Sequence, residues 1–261
     1  MALEVHDLNY LDFKDINYSF DEKKLYTIIG CNKSGKTTLF ALLSGIIPNE
    51  SVICCNITPN LLNRNKYIKN IGVVKSFSNS SFKYKSVYKE MQYPLSNLNY
   101  PDFEIKNRIE EVLDYFALKR IINKKISELN DFEKQTFLIA SAILHKPKVL
   151  LMDSCLDLFN NEEKHQILNA LRKIINEENI TIINFTTSLE EGLISDKIIL
   201  LNNYRFIKEL DSKDIINNDK LFYDNNIEIP FTMDLNIKLR MYNIINKDYY
   251  NLKEMVDNIW P

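Results

Sequence analysis

Short apolar runs alternate along this chain with longer stretches in which apolar residues recur every third or fourth position. Runs of the first kind predict buried strands and those of the second predict amphipathic helices. Their alternation predicts an α/β fold, a mostly parallel sheet with crossover helices. Strands are expected at 3–10, 13–20, 25–29, 51–55, 71–74, 148–153, 180–185 and 197–201. Asn202-Asn203 reads as a turn into a last strand at 204–208, which gives the sheet an antiparallel β edge. Helices are expected at 35–45, 104–117, 132–145 and 162–176. Between 76 and 132 the strand pattern stops and the chain turns helical and polar, as a helical subdomain inserted in a domain spanning 1–211. From 212 to 261 follows a C-terminal extension rich in Asn, Asp and Tyr. Its apolar positions Leu235, Ile237, Leu239, Met241 and Ile244 predict a short helix against the main body, and Trp260 reads as the anchor of the tail.

Composition narrows the function classes more than the fold. With 261 residues the chain is long enough for one large α/β domain and a small appendage. A formal charge of -2 leaves no basic footprint, so no nucleic-acid partner is expected. The cysteines at 31, 54, 55 and 155 form no Cys-x-x-Cys pair and lie far in sequence from His6, His145 and His165, which argues against zinc and against disulfides. No run of eighteen apolar residues occurs, and "MALEVHDLNY" is not a charged-then-apolar leader, so a cytoplasmic chain is expected.

The chemistry is concentrated in "GCNKSGKTT", residues 30–38. Gly30, Gly35, Lys36 and Thr37 have the spacing of a phosphate-binding P-loop, between a buried strand "KLYTII" and a helix "TTLFALLSG". Glycines let the backbone wrap phosphates, and N–H groups through Asn32, Lys33, Ser34 and the helix start at Thr38 point inward as donors. Lys36 is placed to neutralise β- and γ-phosphates, and Thr37 to ligate Mg²⁺. A carboxylate to hold the same ion should end a later buried strand, and "PKVLLMDS" supplies Asp153. Alone, such an Asp reads equally well as a helix cap; beside a P-loop it reads as a Mg²⁺ holder acting through water. ATP and Mg²⁺ are therefore the expected cofactors.

In this order the motifs resemble the ABC transporter nucleotide-binding domain. After the P-loop come "IGVVKSFS" at the family's glutamine loop, "ISELNDFEKQ" at its signature, "VLLMDSCLDLFN" at Walker B and the D-loop, and "TIINFTTSLEEG" at its switch histidine. Among subfamilies the chain looks most like the ATP-binding subunits of energy-coupling factor vitamin transporters, and "EIPFTMDLNIKLRMYNIIN" is similar to their C-terminal segment. The resemblance implies a peripheral subunit on the inner face of the membrane, with a second ABC ATPase subunit and a transmembrane transporter subunit as partners. An ordinary P-loop kinase fits the motif order poorly. A cytosolic ABC-like nucleotide sensor or scaffold without a transporter stays open.

Several positions depart from that family. Ser154 stands where the resemblance places a catalytic glutamate, and a serine hydroxyl is no general base near pH 7 without an activating partner. Thr187 takes the switch-histidine position, Ser76 the loop glutamine, and Asn160 the D-loop aspartate. Asp157 is a conceivable substitute base. The family's "LSGGQ" becomes Leu129-Asn130-Asp131-Phe132-Glu133, in which Asn130 and Glu133 have capping-box spacing. Asp131, Phe132 and Glu133 bring negative charge and bulk to a helix end that receives phosphate in the family. For the adenine-stacking aromatic, Tyr10 is the nearest candidate, and strand-edge packing is its other reading. The implied protein binds ATP, hydrolyses it poorly, and leans on an active homologue.

Overall fold

The computed structural model describes residues 1–247, 249 and 252–259. In chain order the elements are β1 (Leu3–Tyr10), β2 (Phe13–Phe20), β3 (Leu25–Ile29), α1 (Lys36–Leu43), β4 (Val52–Ile53), α2 (Arg64–Tyr67) and β5 (Ile71–Lys75). Then come α3 (Val87–Asn97), α4 (Asp102–Tyr115), α5 (Asp131–Ala142), β6 (Val149–Asp153), α6 (Asn161–Glu178), β7 (Thr181–Thr186) and α7 (Leu189–Gly192). The hairpin β8 (Lys197–Asn202) and β9 (Arg205–Asp211) leads to α8 (Asp219–Asp224), α9 (Phe231–Met241) and α10 (Leu252–Ile259).

Six strands form the central sheet in the order β5-β6-β7-β3-β8-β9. All its neighbours run parallel except β9, which turns back antiparallel along β8. A smaller antiparallel sheet, β2-β1-β4, packs over it. Strands β3, β6 and β7 are buried along their whole length, which explains why they read as continuous apolar runs. Between the two sheets lies a core that includes Phe40, Phe185 and Tyr26 together with α1. On the other face α3–α6 close a second core, and the buried positions Val87, Met91 and Leu95 seat α3 at a spacing of four.

Three expectations need correction. Predicted strand 51–55 shrinks to Val52–Ile53, because Cys55 and Asn56 adopt positive φ and fold the chain into a tight bridge between Cys54 and Ile57. The hairpin turn moves on by one residue: Asn202 still belongs to β8, and Asn203 and Tyr204 are the two positive-φ turn residues. A helix does form at 231–241 in the extension, yet Met241 and Ile244 are exposed, and Met233, Leu235, Ile237 and Leu239 make its inward contacts. Trp260 lies outside the described residues. In the extension, Ile215, Phe222 and Ile229 share a core with Ile29, Ile198 and Leu200 of the central sheet. No helix among the described residues is long and apolar enough to cross a membrane.

Candidate functional site

Parallel strands β3, β6 and β7 all deliver their C-terminal ends to one edge of the sheet, where α/β folds bind ligands. Here β3 runs into the P-loop, β6 ends at Asp153, β7 is followed by Thr187, and the β8–β9 turn presents Tyr204. Between them lies a cleft of about 400 Å³. Asn32, Lys33, Gly35, Lys36, Thr37 and Thr38 form one wall; Asp153, Ser154, Asp157, Thr187 and Tyr204 form the rest. Gly30 and Ser34 lie behind that wall. The Ser34 hydroxyl is buried without a partner among the described residues. Tyr10, by contrast, is partly buried at the β1–β2 hairpin, opposite Phe13, and is not part of the wall.

The loop backbone is shaped for an anion. Lys33 and Gly35 both take positive φ, 68° and 108°. A side chain at Gly35 would also stand 2.8 Å from the Tyr204 ring, so glycine is required twice over. Helix α1 starts at Lys36 with no acidic residue in its first turn and no side-chain cap, leaving its first N–H groups for another acceptor. Lys36 Nζ donates to the carbonyls of Gly30 at 2.6 Å and Cys31 at 2.9 Å. Those bonds use two of its three N–H groups and leave the third for a ligand in the cleft that Lys36 lines. Burial pushes the Lys36 ammonium below its ordinary value, against the attraction of Cys31, Asp153 and Asp157.

Burial likewise raises the Asp153 carboxyl above its usual range; Lys75 and Lys36 oppose this and Asp157 adds to it. Thr37 and Asp153 offer oxygen donors of the kind a hard divalent cation takes, so the residues fit Mg²⁺. No cluster of three His, Cys, Asp or Glu exists among the described residues, so the ion would complete its shell from phosphates and water.

Hydrolytic groups are harder to find. Ser154 adopts φ 54°, its N–H held by the Phe185 carbonyl at 2.9 Å. Neither its hydroxyl nor that of Thr187 is hydrogen-bonded to a base among the described residues, and none of the three histidines lines the cleft. The segment carrying Thr187 is nonetheless firmly seated: Asn184 Nδ2 donates to the buried Glu191 carboxylate at 2.8 Å, and Lys164 pairs with it at 3.3 Å. Asp157 brings a second carboxylate to the cleft.

The signature-region helix behaves partly as expected. Asn130 Oδ1 accepts from the Glu133 N–H at 2.7 Å, and Glu133 accepts from the Asn130 N–H at 3.1 Å, a reciprocal capping box. Glu133 does not face outward as a free charge. It is buried and bound to Arg120 at 3.1 Å; burial opposes its ionisation, but the Asn130 amide and Arg120 hold its carboxyl below the usual range. Asp131 is the exposed acid, paired with Lys134 at 3.3 Å, and Phe132 packs on Phe159. Asn160 caps α6 in the same reciprocal way with Glu163.

The family model for the ABC transporter matches residues 13–157, more than half the chain. The chain belongs to the ABC transporter family. Among relatives of this ABC protein, the energy-coupling factor transporter ATP-binding protein EcfA1 of Oenococcus oeni is 25% identical, covering 99% of this chain and 97% of the relative. The protein of the same name from Mycoplasmoides gallisepticum is 26% identical over 94% of this chain and 88% of its own. Among solved structures, cbiO1 of Clostridium perfringens, part of the ABC transporter complex cbiONQ, superposes with a TM-score of 0.78. That match has 24% identity, covers 89% of this chain and 97% of the other, and supports the ABC fold.

One cleft residue and one neighbour of the cleft escape a reading of the sequence. Tyr204 looks like the first residue of a strand; only an Asn-Tyr pair where a tight turn favours Asn-Gly hints otherwise. Lys75 looks like a strand terminus, and its position opposite Asp153 emerges only from the register of β5 on β6.

Proposed function

We propose that this chain is the ATP-binding subunit of an energy-coupling-factor-type transporter, working as a pair with a second ABC ATPase beneath a membrane subunit. It sits on the inner face of the membrane and holds ATP better than it breaks it. Near-full-length similarity to proteins of that name supports the transporter assignment. The observation that carries the mechanistic reading is the make-up of one cleft, with a complete phosphate loop on one side and Ser154 and Thr187 on the other.

In this reading the loop amides and Lys36 bind the phosphates, and Thr37 and Asp153 would hold Mg²⁺. When bound, that ion neutralises phosphate charge and orients the γ-phosphate. Ser154 has no base to take its proton, so attacking water lacks a positioned acceptor; that loss typically lowers rate by about 10²–10⁴-fold. Asp157 is the remaining carboxylate within reach.

Calorimetry and turnover test this together. Lys36→Ala should weaken Mg-ATP binding about ten- to a hundredfold, through loss of a charge-assisted contact. Steady turnover of about 1 s⁻¹ by the pure protein, an ordinary enzyme rate, would count against the degenerate reading. Loss of that turnover in Asp157→Asn would identify the base.

A further inference from the structure

Cys54 and Cys55 are neighbours in sequence that also meet through their side chains: the two sulfurs lie 3.9 Å apart. In an extended strand successive side chains point to opposite faces, and such a pair would be split. Here the strand stops. Cys54 and Ile57 exchange both backbone hydrogen bonds at 3.0 Å, and Cys55 and Asn56 fill the turn between them with φ of 53° and 60°. The turn keeps Cys54 buried in a core with Val52 and Tyr67 and leaves Cys55 exposed. Neither cysteine lines the phosphate cleft.

The separation suits a bridging atom. A centre bonded at about 2.3 Å to each sulfur, the length of a zinc–thiolate bond, spans 3.9 Å at an angle of about 116°, close to tetrahedral. The turn can hold such a centre without rearranging. The donors then select its class. Among the described residues no third His, Cys, Asp or Glu completes a metal-binding group, so zinc, which takes four ligands, is poorly served. Burial, and then Cys55, push the Cys54 thiol up, so a cation bound through thiolates must first displace a tightly held proton. A trivalent arsenical with one organic group needs two sulfurs and no third protein ligand. Its oxygen also carries both thiol protons away as water.

We propose that Cys54 and Cys55 form a dithiol site for trivalent organic arsenicals. The exposed Cys55 sulfur attacks an arsenoxide first: an As–S bond forms, and the thiol proton passes to the oxygen, which stays on arsenic as hydroxyl. Cys54 then forms the second As–S bond, the As–OH bond breaks, and water leaves with the second proton. Nothing is oxidised or reduced. Because the second bond closes within the chain, the pair keeps arsenic against free monothiols that strip it from a single cysteine.

The test adds phenylarsine oxide to the full chain in excess glutathione, for wild type, Cys54→Ser and Cys55→Ser, and reads intact mass and a peptide map. Wild type should retain one phenylarsenic group per chain, on the peptide holding both cysteines, and release it to a small vicinal dithiol. Each variant should need on the order of a hundredfold more phenylarsine oxide for half occupancy. Circular dichroism checks folding; should the buried Cys54→Ser fail to fold, the exposed Cys55→Ser carries the test. Wild type that retains no arsenic in glutathione overturns the inference. So does a group that maps to Cys31 or Cys155, or a Cys55→Ser protein that matches wild type.

Discussion

Tyr204 holds a backbone conformation that glycine accepts easily and tyrosine resists. Its φ of 59° follows 45° at Asn203, the signature of a tight hairpin turn. A bulky residue there costs about 1–2 kcal/mol, and the ring offsets this by standing edge-on to Phe13 at 5.0 Å and against Gly35. Its N–H donates to the Ser34 carbonyl at 2.9 Å, which ties the turn to the P-loop. The result is an aromatic face in the wall of the phosphate cleft, where Tyr10 contributes none. Tyr204→Ala should therefore weaken ATP about five- to a hundredfold, the range of one base-stacking contact, and leave inorganic tripolyphosphate affinity nearly unchanged. Equal losses for both ligands would mean that the ring only props the loop. The P-loop itself was legible because its chemistry is local to residues 30–38. Tyr204 reaches the same cleft from far along the chain, and no spacing announces that.

At the scale of elements, legibility followed burial. Strands 3–10, 13–20 and 25–29 form where the apolar pattern put them, because the first two turn their buried positions to the core between the sheets and the third is buried on both faces. Helix α3 was harder to see: it is polar on most faces and contains Pro94, which removes a backbone donor and masks the Val87, Met91, Leu95 repeat. What binds this helical region to the sheet domain was also hidden. Buried Arg108 on α4 donates to the Leu144 and Ile143 carbonyls just beyond α5, both at 3.0 Å. It also pairs with Glu178 at the end of α6 and with Glu111. Three helices thus meet at one guanidinium whose fork geometry lysine cannot copy. Arg108→Ala should cost about 3–5 kcal/mol in urea denaturation, because Glu178 is left buried without its partner. Glu178→Gln in the same background should recover part of that loss. A loss under about 1 kcal/mol for Arg108→Ala would assign the pair to the class of surface bridges.

For the whole molecule, the two halves of the ATP-handling surface have different fates. The P-loop side is built to receive phosphate, whereas the start of α5 has spent the Asn130 and Glu133 N–H groups on its own capping box. Asn130 and Glu133 satisfy each other across the first turn, Arg120 holds Glu133 from behind, Asp131 stands exposed in front, and Phe132 fills space against Phe159. An anion approaching this helix end meets a carboxylate before it meets an N–H. In a head-to-tail pair of the family kind, the site using this chain's P-loop would hold ATP without a competent base. The site using the partner's P-loop would have the base and a poor receiver for γ-phosphate. Turnover of such a complex is then limited at the partner's site by α5, and restoring Ser154 alone repairs the other one. Reconstitution with an active ABC homologue and the membrane subunit gives the measurement. Asp131→Gly with Phe132→Gly should raise turnover of the complex, despite a helix weakened by about 1 kcal/mol per glycine, while Ser154→Glu changes it little. The reverse ranking would place the limiting defect at Ser154. Failure to associate with either partner would remove the asymmetric clamp altogether and leave a stand-alone nucleotide binder.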